Sequence, residues 1–205
     1  MANKKIYILL LSFINSGDNM DYLTKLTGIL FKPLKALDTY KSEEGISEPF
    51  KFMIISAIIA GAISFIFQMI AGTAITASVL SFGMVILWGL VIVFGFSGVF
   101  HLLVKLFGGP NPYFQTFKAF AYMSAFWMVG TLIAGLSAFL PMLGIVNFIL
   151  GLWVLILLGS CLKHYTDLSG GKLVAIWLII IVLIVVILFA AMSTIMSLFR
   201  ASSLL

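Results

Sequence analysis

Apolar residues in this chain come in long unbroken runs, without the alternation of a half-buried strand or the polar interruptions of a soluble amphipathic helix. Five runs stand out, at residues 50–70, 78–107, 117–140, 142–162 and 173–199. Each is about 20 residues or longer, and at about 1.5 Å rise per residue each matches the roughly 30 Å hydrocarbon core of a bilayer. Backbone groups in lipid must be bonded within their own segment, so such runs predict membrane-crossing helices. The breaks between them read AGTAITA, GGPNPYFQT, the single Pro141, and KHYTDLSGGK. The fold class that follows is all-α: a polytopic integral membrane helical bundle of five transmembrane helices.

The chain before the first run divides in two. Residues 1–19 open with a basic stretch and an apolar run, MANKKIYILLLSFI, too short to span. It reads either as a cleaved signal segment or as a start-site artefact preceding initiation at Met20, and the residues do not choose between them. Residues 20–49 form a second segment, in which Leu23, Leu26, Leu30, Leu34 and Leu37 recur at three- and four-residue spacing while Lys25, Lys32 and Lys35 occupy other faces. That pattern predicts an amphipathic helix, kinked or restarted near Pro33. It would lie along the interface with its lysines among anionic headgroups, or pack on the protein's own cytoplasmic face. KSEEGISEP then makes a polar turn ahead of the five-span region, residues 50–200.

Charge changes the picture by fixing orientation. Seven lysines lie at or before Lys51, none in the next break, then come Lys105 and Lys118, none at Pro141, then Lys163 and Lys172, with Arg200 beyond the last run. Basic residues on alternate breaks are what the positive-inside rule requires of an odd number of spans, with the amino terminus cytoplasmic and the carboxyl terminus outside. The formal charge is +5, but the basic residues sit in breaks between apolar runs, which excludes a nucleic-acid surface. Composition agrees: 62% hydrophobic and 9% charged residues over 205 positions, with mean hydropathy +1.22, demand lipid as the solvent. The single cysteine, Cys161, has no internal partner for a disulfide.

Candidate chemistry is sparse. No Asp, Glu, Arg or Lys falls well inside a run, and the deepest amides, Gln68 and Asn147, are expected to bond each other as glue between helices. Gly95 to Gly98 reads GFSG, with His101 four residues beyond Ser97, a pairing that resembles the nucleophile motif of rhomboid proteases. Those enzymes take the base from a separate helix, so the expectation is that Ser97 bonds a carbonyl one turn back. There is no phosphate-binding glycine loop and no clustered metal ligands, so neither cofactor nor metal is expected. Small residues at Ala57, Gly61, Gly95, Gly98, Gly130, Ala134, Gly144 and Gly151 are expected to let helix backbones approach closely.

Three stretches carry a family resemblance: FKPLKAL before the first run, YFQTFKAFAYMSAFWMVG opening the third, and LPMLGIVNFILGLWVLILLGSCLKHY through the fourth. In these the chain resembles the Yip domain family of five-span membrane proteins, over roughly residues 25 to 195. The family's aromatic and Gln-Thr pair, followed by an Ala-Tyr-Ser step, correspond to Tyr113, Gln115, Thr116, Ala121, Tyr122 and Ser124. The resemblance implies a non-enzymatic protein that organises or shapes membrane through protein or lipid contacts, with the bilayer, a membrane-protein partner or a second copy as partners. Its eukaryotic members bind Rab GTPases; their DLYGP-type segment is missing here, and a GTPase partner rests on analogy alone. Tyr113, Gln115, Thr116, Tyr122 and Asn147 are the expected packing or partner-contacting positions. The alternative is a small transporter or permease subunit with a polar path past Gln68, Asn147 and Tyr122.

Overall fold

The computed structural model describes residues 17–183, together with 185 and 186. Seven helices account for almost all of them: α1 Gly17–Phe31, α2 Pro33–Lys41, α3 Ser47–Ile70, α4 Ile75–Leu106, α5 Tyr113–Ser137, α6 Leu143–Thr166 and α7 Gly170–Leu183. Helices α3 to α6 are each long and apolar enough to cross a membrane, which makes this an integral membrane bundle with four candidate spans among the described residues. The fifth apolar run begins within α7, and its remainder lies outside those residues, as does the segment 1–14. At 32 residues, α4 is about 48 Å long and exceeds a bilayer core of about 30 Å.

Local chemistry explains the boundaries. Pro33 lacks a donor for the helix before it, so the amphipathic segment restarts there as α2. Pro49 is tolerated because it sits in the first turn of α3, where its missing N–H has no partner anyway. Helices α3 and α4 end alike, on glycines in the left-handed region, Gly72 and Gly108. After each, a reaching N–H closes the end, Thr73 to the Gln68 carbonyl at 2.9 Å and Gly109 to that of Val104 at 2.8 Å. Helix α5 begins at Tyr113, four residues earlier than the apolar run alone indicates, and this carries Lys118 into the helix.

Helix α5 is the centre of the bundle. It packs most extensively on α3 and next on α6, and it also touches α4, α1 and α2. Thr116 to Phe126 is buried without a break, so this helix is enclosed on every side over its first half. Aromatic rings fill the layer around it, with Phe94 stacked on Phe117 at 5.0 Å and Phe52 edge-on to Tyr122 at 5.3 Å. Helices α1 and α2 pack on the bundle's charged end through Tyr22, Ile29, Ala36 and Leu37, while Leu23, Phe31 and Leu34 stay exposed. One expectation is corrected here. Lys25 does not face headgroups but is buried, because three carboxylates surround it.

Small residues behave in two ways. A Cβ on Gly61 would stand 3.0 Å from the Phe82 ring, and one on Gly135 would stand 2.2 Å from that of Phe67, so both mark close helix contacts. Gly95, Gly98, Gly144 and Gly151 were expected to do the same, yet no atom stands within 4 Å of their would-be Cβ positions. Their helix faces look outward, and the absence of a side chain there serves no contact in the bundle. Gly135→Val should therefore overpack the α3–α5 contact and cost about 1–3 kcal/mol. The measurement is the thermal midpoint of the detergent-purified protein, with Gly144→Val expected to leave it unchanged.

Candidate functional site

The apolar sequence of α5 is interrupted near its start by Lys118 and Tyr122, one helical turn apart and so on one face. Both side chains are fully buried. A lysine there must find partners, since an unpaired buried ammonium costs several kcal/mol. It finds them in the polar turn after α2. The Lys118 Nζ donates to the Glu43 carbonyl and, at 3.2 Å, to that of Lys41, and lies 5.2 Å above the Phe114 ring. The Tyr122 hydroxyl donates to the Glu43 carboxylate.

Glu43 is thus held through both its backbone and its side chain, and a second lysine completes it. Lys25 of α1 stands 2.9 Å from Glu43, 3.0 Å from Asp21 and 3.4 Å from Glu48. Burial pulls the Lys25 ammonium down, but its bonds to Glu43 and Asp21 outweigh that and raise it above the usual lysine range. Its contribution to stability is therefore complete at neutral pH and is lost only as pH rises past that range. Tyr40 leans on Tyr122 at 5.3 Å and lies beneath Lys25 at 5.6 Å, closing the cluster with apolar surface.

A second set of bonds ties the same strap, made of α1, α2 and the turn after them, to α6. The Tyr165 hydroxyl donates to the Leu37 carbonyl at 2.7 Å, and Lys41 Nζ donates to the His164 carbonyl and, at 3.1 Å, to Asp167. Asp167 closes α6 with φ 52°, a left-handed conformation that Asp tolerates better than most residues. Asn111, from the α4–α5 loop, donates to its other oxygen at 2.7 Å and to the Tyr165 carbonyl at 2.8 Å. The Asn111 bond foremost, then Lys41, holds the Asp167 carboxyl below its ordinary range. Four stretches of chain meet at this one end.

A smaller group lies between α4 and α5. Ser97 is buried, donates to or accepts from the Tyr113 hydroxyl at 2.9 Å, and also reaches the Phe94 carbonyl one turn back at 3.2 Å. His101 engages Thr116 at 3.3 Å and meets the Tyr113 ring edge-on. Ser97 and His101 are each committed to α5, with no bond between them. The Gln115 Oε1 is buried without a hydrogen-bond partner.

Of the expected positions, Tyr113 and Thr116 come together with Ser97 and His101, while Tyr122 belongs to the Glu43 cluster. Asn147 lies elsewhere, with its Oδ1 beside Gly130. The expected bond between Gln68 and Asn147 does not form, because Gln68 turns to Ser81 of α4 and to Ser64 one turn back. Gln68 still joins two helices, and it borders a cleft of about 230 Å³ that neither Asn147 nor Tyr122 reaches. Lys25, Glu43, Lys118 and Tyr165 are the residues that reading the sequence missed. Among the described residues, no three His, Cys, Asp or Glu side chains gather as metal ligands would.

What this arrangement does chemically is fasten. A family model, the Yip1 domain, matches residues 27–192, from within α1 to beyond α7, and so takes in most of the strap as well as the spans. No curated protein and no solved structure matches the chain.

Lys118→Met should leave the Lys41 and Glu43 carbonyls without their donor and destabilise the strap by about 1–3 kcal/mol. Hydrogen exchange should show faster exchange across residues 21–46, with α3 and α5 still protected. Acid should act on the neighbouring bond. A depressed carboxyl contributes stability that is present above about pH 4 and lost as pH falls through its lowered value. The 111–167 contact should then open on acidification, and Asp167→Asn should remove that pH dependence.

Proposed function

The chain belongs to the Yip1 domain family, and from that premise we propose that it is a non-enzymatic membrane protein that organises or shapes membrane through contacts with other proteins or with lipid. One observation carries the reading: the lysine and the two tyrosines that α5 and α6 bury deepest at the bundle's charged end are spent on holding α1 and α2. Lys118, Tyr122 and Tyr165 each meet a backbone carbonyl or a carboxylate of that strap. A site for chemistry or for passage of a solute keeps polar groups facing a cavity, and these face the protein's own chain.

The topology belongs to the same proposal. The spans number five, with α7 the start of the last, the strap lies in the cytoplasm, and the carboxyl terminus lies outside the cell membrane. The basic residues support this, since Lys41, Lys105, Lys163 and Lys172 all flank one end of the described bundle. Leu23, Phe31 and Leu34, exposed on the strap, would then rest in the interfacial layer of the inner leaflet. Tyr113 and Gln115, half-buried at that end, are the residues assigned to partner contact in this reading. The rival polar path lacks support, since Gln68 borders a cleft that Asn147 and Tyr122 do not line.

Reporter fusions test the topology: a tag ahead of residue 44 should report cytoplasm and one after Arg200 the outside, and agreement between the two would refute five spans. Crosslinking in native membrane tests the contacts. Tyr113→Ala with Gln115→Ala should change the set of crosslinked partners, and an unchanged set would count against partner contact at that end.

A further inference from the structure

The outward face of α4 encloses an apolar cleft of about 380 Å³ with α7, walled by Trp88, Ile92, Phe96, Val99, Ile180 and Leu183. A second cleft of about 280 Å³, between α4, α5 and α6, shares Ile92 and Phe96 with it as walls. In lipid such a space fills with acyl chain whatever its owner does. The ends of its walls make it more than that. On α4, Val91, Gly95, Leu102 and Lys105 lie on one stripe, and on α7 so do Lys172, Ile176, Ile180 and Leu183. Each wall is therefore apolar along its length and finishes in a lysine at the bundle's charged end.

The two lysines converge on one turn. Lys105 Nζ donates to the Pro110 carbonyl at 3.2 Å, and Lys172 Nζ to the Phe107 carbonyl at 2.8 Å. Each ammonium has three N–H groups and uses one, and neither forms an ion pair with a carboxylate among the described residues. Lys105 lies six residues past Val99 and Lys172 eight residues before Ile180, about 9 and 12 Å along their helices. That interval suits a glycerol backbone and a phosphate above a chain seated in the cleft. Among the chain's other lysines, Lys25, Lys41 and Lys51 are paired with carboxylates. Lys118 is closed over by the strap.

We propose that an anionic phospholipid binds here, with one acyl chain between α4 and α7 and its phosphate between Lys105 and Lys172. This deepens the lipid part of the function proposed above and rests on that reading only in taking the charged end to lie at the membrane surface.

Native mass spectrometry of the detergent-released chain, offered equal amounts of phosphatidylglycerol and phosphatidylcholine, reads the site without reference to topology or protein partners. The wild type should retain phosphatidylglycerol about tenfold better, as a net gain of one or two charge-assisted bonds implies. Lys105→Gln with Lys172→Gln should abolish that preference, Lys105→Arg with Lys172→Arg should keep it, and Lys32→Gln with Lys35→Gln should not alter it. Gly95→Phe projects a ring where the structure has open space, so it should fold as the wild type does and lower retention of phosphatidylglycerol several-fold. Equal retention of the two lipids by the wild type, an undiminished preference in the double glutamine variant, or undiminished retention in Gly95→Phe would each overturn the proposal. None of these would bear on the five-span topology or on partner contacts at Tyr113 and Gln115.

Discussion

An ammonium group enclosed at the top of a membrane bundle is the constraint on which the rest of this structure depends. Lys118 has no exposed surface, and a cation removed from water without partners would expel the helix that carries it. Its partners are supplied from about 75 residues earlier in the chain, by the turn that follows α2. That turn carries its own acid, Glu43, whose charge is balanced by Lys25 and whose remaining acceptor capacity is taken by Tyr122. The strap and the bundle thus complete each other: the bundle buries a donor that only the strap satisfies, and the strap carries a half-buried acid that the bundle helps to satisfy.

This explains the unequal burial of the spans. Helix α5 holds both Lys118 and Tyr122, and it is the helix enclosed on all sides near its start, in contact with α3, α4, α6 and the strap. The Phe114 ring lies 5.2 Å from the ammonium, and the carbonyls of Lys41 and Glu43 on the strap cover it. At the opposite end no charges are present among the described residues, and the devices change accordingly. There Gln68 bonds Ser81 across two helices and Gly135 admits the Phe67 ring, both forms of association that work where apolar burial gives little drive.

Much of the fold was legible because lipid imposes a simple rule on composition. Residues 50–70 and 142–162 read as spans and are helices whose ends fall within four residues of those bounds, and the restart at Pro33 follows from its missing donor. Family membership was legible as well, from soft motifs around Tyr113, Gln115 and Tyr122. The site was read less completely, for a physical reason. Lys25 and Lys118 look like any membrane-flanking lysine, because the periodicity that separates headgroup-facing from bundle-facing positions is blurred once a helix meets protein on several sides. Glu43 sits in KSEEG, where a polar turn at the surface is the ordinary reading. Only the spacing of Lys118 and Tyr122 by one turn, ahead of a charge-free stretch, hinted that a polar face entered the bundle. The glycines misled in the opposite sense, since Gly95 and Gly144 carry the same small-residue signature as Gly61 and Gly135 but face outward.

The outward glycines also account for the shape of the α4 surface. Helix α4 packs on α3 and α5 but makes no extensive contact with α6, so a space must open between α4 and α6 wherever side chains fail to bridge it. Trp127 of α5 closes on α4 at one level by laying its ring where a Gly89 side chain would stand, 1.7 Å from the Cβ position. One and a half turns onward, Gly95 and Gly98 offer no side chain for α7 to meet, and the contact is made instead by Phe100 against Trp177 at 5.0 Å, nearer the charged end. Gly95 thus lines the α4–α7 cleft, while Gly89 and Trp127 line the neighbouring one. A lining of that kind suits hydrocarbon, while each lysine that crowns it keeps N–H groups beyond its one carbonyl bond for an anion. A molecule that meets both conditions at once is a phospholipid with a negative headgroup, the same solvent that composition demanded for the chain as a whole.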